Sequence, residues 1–120
     1  MNMVMLVIDN PRYLDAVLDA WEAQGVSGVT IIESTGINRR RRAQQVGKAF
    51  MAGMNRLLGD DVENHYTLFV IVPGEASVQA CLRAAEEILG DLNGPNSGVL
   101  AAWPLTTAKG VPLEILKRSS

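Results

Sequence analysis

The sequence has one cysteine, Cys81, and one histidine, His65, among 120 residues. A lone cysteine excludes an intramolecular disulfide framework and any multi-cysteine zinc site. A lone imidazole cannot hold zinc within one chain, although three copies around a symmetry axis could bring three together. Aromatic residues are few, 5% of a chain that is 48% hydrophobic, so a core has to be built mainly from Val, Ile, Leu, Met and Ala. No apolar run approaches the roughly 18 residues of a membrane-spanning helix. The start, Met1-Asn-Met-Val, carries no basic residue and reaches Asp9 too soon for a secretion signal, which points to a cytoplasmic protein. The net charge of −2 gives no general attraction to nucleic acid or to anionic membrane. No catalytic constellation is visible: Glu33 has no partner acid or metal ligand in the pattern. A protein that is not an enzyme is the expectation.

What is present is a repeated pattern over a single domain, residues 1–120. Residues 3–8, Met-Val-Met-Leu-Val-Ile, form an apolar run of strand length, and Asp9-Asn10-Pro11 is a helix-starting signal. Leu14, Val17, Leu18 and Trp21 recur at helical spacing, so a helix over about 11–24 is expected, stopped by Gly25. Residues 28–35 are rich in β-branched residues and bounded by glycine at both ends, the mark of a second strand. Residues 66–72, Tyr-Thr-Leu-Phe-Val-Ile-Val, read as a third. Pro73-Gly74 then opens a second amphipathic helix with Val78, Leu82, Ala85 and Leu89 on its apolar stripe and Gly90 at its end. A loop rich in Gly, Asn and Asp leads to a last strand at 99–103, stopped by Pro104, and residues 106–120 form a tail.

Strand, helix, strand, repeated twice, is the pattern of two βαβ units interleaved in an α+β, ferredoxin-like βαββαβ sandwich with a four-stranded antiparallel sheet. Both helices then cover one face of the sheet. Strands one, three and four are nevertheless apolar at successive positions, as strands buried on both faces are. Other copies of the chain are the simplest cover, which makes a closed homo-oligomer the expectation.

Between strands two and three the composition changes. Residues 37–64 begin with Ile37-Asn38 and four arginines, Arg39 to Arg42, and contain Val46, Phe50, Met54 and Leu57 at helical spacing. Glycines at 47 and 53, and basic residues before acidic ones, oppose a stable helix there. The arginines are candidates for an anion or nucleotide contact. The plainer alternative is a solvated loop start paired with Asp60, Asp61 and Glu63, and an aromatic platform for nucleic-acid bases is absent.

In order and spacing the chain resembles the nitrogen regulatory PII signalling proteins and their PII-like relatives. The resemblance is carried by Pro11-Arg-Tyr-Leu-Asp-Ala-Val, Gly25-Val-Ser-Gly-Val-Thr30, Glu33-Ser-Thr-Gly-Ile-Asn-Arg39 and Val72-Pro73, and it runs through the glycine-containing loop into the last strand. It implies a homotrimer with clefts between neighbours, a long T-loop after strand two corresponding to 37–64, and a B-loop before strand four. It also implies an adenine nucleotide effector, such as ATP, ADP or a cyclic nucleotide, and a target protein regulated through the T-loop. Position by position, Gly28, Thr30, Gly36, Arg39 and Gly98 match effector-binding residues. Arg40, Phe50 and Met54 fall where a target would be bound, although the stripe that includes Phe50 and Met54 could equally fold back on its own trimer.

The chain departs from that pattern at several points. Gly94 and Val99 stand where the family has two B-loop lysines, Asn96 and Asn38 replace glycines, and the paired basic residues expected after the last strand have no counterpart unless Lys117 and Arg118 reach back. Two alternatives therefore stand beside a PII-like switch. One is a trimeric interaction or structural module without nucleotide binding; the other is a divalent-metal-handling protein of the same fold.

Overall fold

The computed structural model describes residues 1–34, 65–94 and 98–111. Strand β1 spans Asn2–Ile8, and a single 3-10 turn, Pro11–Tyr13, leads into helix α1, Leu14–Ala23. Asn10 starts this passage by accepting a hydrogen bond from the Arg12 amide at 3.0 Å, while Pro11 fills the first position, where no amide is needed. The expected helix at 11–24 is therefore a tight turn followed by ten residues of α-helix.

Helix α1 ends in two crossed hydrogen bonds, Gly25 N to Glu22 O at 2.9 Å and Val26 N to Trp21 O at 3.0 Å. This geometry needs a left-handed residue, and Gly25, with φ of 83°, supplies it. Val26 then packs against the core to which Trp21 belongs. The chain is thereby turned back towards strand β2, Thr30–Ser34, and strand β3 follows at His65–Val72. Helix α2, Glu75–Leu89, and strand β4, Val99–Pro104, complete the fold. Pro104 closes β4 from within the strand, a place that proline tolerates at a sheet edge.

The sheet order is β2-β3-β1-β4, with every neighbouring pair antiparallel. Among the described residues the architecture is thus α+β, a four-stranded antiparallel sheet with two α-helices, compatible with the ferredoxin-like fold. Its core lies on one sheet face. Val4, Leu6 and Ile8 of β1 and Leu68, Val70 and Val72 of β3 meet Val17 and Trp21 of α1 and Val78, Cys81, Ala84 and Ala85 of α2. On α2, Val78 and Ala85 of the expected stripe are buried together with Cys81 and Ala84, whereas Leu82 is only half-buried. Small residues on the buried face let α2 approach closely enough for the Trp21 indole Nε1 to donate to the Cys81 carbonyl at 3.1 Å. That bond satisfies the one polar atom that Trp21 brings into the core.

The other face of the sheet is also apolar. Met3, Met5 and Val7 of β1 and Phe69 and Ile71 of β3 point there and are half-buried. No helix among the described residues lies across them, because both helices are committed to the core side.

Truncating Leu6 to alanine should lower stability by about 2–5 kcal/mol, the usual range for a buried leucine. Met5→Ala, one position along, should cost clearly less when unfolding is followed by urea titration at low protein concentration. Equal losses would show that the two faces are buried alike.

Candidate functional site

The candidate effector residues within the described chain are Gly28, Thr30 and Gly98. Gly28, with φ of 73°, sits in the turn before β2, and Thr30 is the first residue of that strand. Thr30 pairs with Phe69 and so shares the open face of the sheet. Gly98 immediately precedes β4. Strands β2 and β4 are the two outer strands, separated by β3 and β1. Three strand spacings amount to about 14 Å across the sheet. One chain consequently does not bring Gly28 and Thr30 together with Gly98. Gly36, Arg39, Arg40, Phe50 and Met54 lie outside the described residues.

Gly98 has a role that the sequence did not disclose. Its φ of 121° lies in the region that L side chains rarely adopt, and a Cβ built there would collide with the carbonyl oxygen of Val7 on β1. The PII resemblance assigns this glycine to effector binding. The close approach made within this chain is to its own strand.

The two outer strands share a second property. Of the five large hydrophobic residues that are exposed among the described residues, four are on them: Ile31 and Ile32 of β2, 45% and 48% exposed, and Val99 and Trp103 of β4, 56% and 41% exposed. Ile31 and Ile32 point to opposite faces, so β2 is apolar on both sides of its free edge. Val99 and Trp103 pair with Val7 and Met3 and lie on the open face. That face carries no charged residue at any of its described strand positions. The signal for this was present in the sequence as unbroken apolar runs, but which residues fall on free edges depends on strand order.

Strands β2 and β3 are tied where they meet the segment between them. Ser34 pairs with His65, and its hydroxyl donates to the His65 carbonyl at 3.1 Å. Ser34 Oγ also lies 3.0 Å from Thr67 Oγ1, so the Thr67 hydroxyl is the donor in that contact. His65 is half-buried, and its Nδ1 has no hydrogen-bond partner. Among the described residues, no group of three or more His, Cys, Asp or Glu side chains is placed to hold a metal ion. Glu33 is exposed and pairs with Tyr66 on the helix side of the sheet.

At the opposite end of the sheet a cavity of about 170 Å³ opens between the α1–β2 turn and the first turns of α2. Gln24, Val26, Pro73, Ala76, Ser77 and Ala80 are among its walls, and none of the candidate effector residues Gly28, Thr30 and Gly98 borders it. Cys81 is in the core, where burial pushes its thiol up from the ordinary 9.0 to about 11. It is an inert packing residue.

No family model matches the chain, and no curated protein matches it. The likeness to PII proteins therefore rests on the residues quoted above. No helix among the described residues is long and apolar enough to cross a membrane.

Two measurements follow from this geometry. Gly98→Ala should lower stability by about 1–3 kcal/mol from backbone strain alone, with no nucleotide present. A neutral effect in urea unfolding would remove the internal role. For Cys81, the raised thiol pKa means that the unfolded chain loses its proton first as pH increases. The stability it contributes is complete below about pH 9 and is lost as pH rises towards about 11. The gap in urea midpoint between wild type and Cys81→Ala should therefore narrow between pH 8 and pH 11, and a constant gap would contradict it.

Proposed function

We propose that this chain is a PII-like signal-transduction protein. In this reading it is a homotrimer that takes a small anionic, adenine-containing effector in the clefts between its subunits, and it regulates a target protein through segment 37–64. The observation that carries the reading is the placement of Gly28 and Thr30 at one sheet edge and Gly98 at the other, beside strands that expose Ile31, Ile32, Val99 and Trp103. A site that needs both edges needs two copies of the chain. When one edge of a subunit meets the other edge of its neighbour, the contact is heterologous, and such contacts close into a ring when the rotation allows.

Charge placement gives further support. Arg12, Arg83 and Lys109 are the cations among the described residues, and the other eight of eleven belong to segment 35–64 and the last residues of the tail. An anion is therefore best met where β2 leads into that segment, with Arg39 as a bidentate partner for phosphate oxygens. The effector would act as a population shift, by making contacts in one arrangement of the segment that it lacks in the other.

A second reading, the interaction module without a ligand, is favoured by Gly98. Its conformation is explained by Val7 without reference to phosphate, and Gly94 and Val99 occupy the places of the family's lysines. The same assembly would then serve protein contact alone.

Sedimentation and calorimetry separate these readings. The purified chain should sediment as a trimer at about 50 μM, and Ile32→Lys or Trp103→Lys should shift it to monomer while Asp19→Lys on the exposed side of α1 does not. A wild-type monomer at that concentration would overturn both readings. With the trimer established, titration of ATP, ADP and cyclic dinucleotides should give binding tighter than about 1 mM, or about −4.1 kcal/mol. Arg39→Ala should weaken it roughly tenfold or more, the loss of a hydrogen bond to a charged group. A trimer that binds no nucleotide leaves the module.

A further inference from the structure

No further inference is drawn: the strongest candidate, the cavity between the α1–β2 turn and the uncapped first turn of α2, joins apolar walls to a helix N-terminus, and no bound group or buried unpartnered side chain among the described residues shows what would fill it.

Discussion

The antiparallel register of β1 against β3 is the constraint on which the remaining structure depends. It sends Val4, Leu6 and Ile8 with Leu68, Val70 and Val72 to the helices, and Met3, Met5 and Val7 with Phe69 and Ile71 to the other side. In most half-solvated sheets a slip of one residue would be prevented by polarity, because it would bury charges and expose the core. Here both sets are apolar, so polarity discriminates weakly. Shape and connection take over. The Asn10 cap, the crossed bonds at Gly25 and Val26, and the Trp21 bond to the Cys81 carbonyl fix where α1 can lie. Gly98 against the Val7 carbonyl then fixes β4 on the far side of β1.

The second apolar set has an energetic consequence. Burying a large apolar side chain completely contributes about 1.5–3 kcal/mol. Ile31, Ile32, Val99 and Trp103 are about half exposed already, so burying all four across one junction would add only about 4 kcal/mol. Association costs at least that much in lost translation and rotation. Edges alone are a weak basis for an oligomer. An assembly that also covers Met3, Met5, Phe69 and Ile71 has more to gain, which favours copies arranged with their open faces turned inward over copies joined only edge to edge.

Local chemistry was the part of the fold most legible in the sequence. Asn10-Pro11 and Gly25 bracket the first helix because capping depends on a few adjacent residues. The alternation of helix and strand was readable for the same reason. Leu82 was placed on the α2 stripe, and Ala84 was not, because several sets of positions on one helix share helical spacing; the choice depends on which small residues face Trp21, whose bond to Cys81 spans 60 positions of the chain. Trp103 is exposed in the single chain because β4 is an edge strand, and that position depends on strand order. Gly98 was legible as a required glycine but not for its reason, since the Val7 carbonyl becomes its neighbour only through β1–β4 pairing. Of the site, Gly28, Thr30 and Gly98 can be placed, whereas the residues meant to contact an anion and a target lie outside the described chain.

The bond between Ser34 and His65 bears on how an effector could control the segment from 35 to 64. Those two residues face each other across β2 and β3, about 5 Å apart at their Cα atoms for an antiparallel pair. Ser34 is held twice, by the His65 carbonyl and by the Thr67 hydroxyl. Both ends of a 30-residue segment are thus anchored to the same two strands, so a ligand that moved β2 as a rigid strand would have to break its ladder with β3. A cheaper route leaves the ladder intact and acts beyond Ser34, on the first residues of the segment, where Gly36 and Arg39 are. In the proposed switch the sheet is then a fixed mount, and the free energy difference between states comes from contacts made after β2 ends.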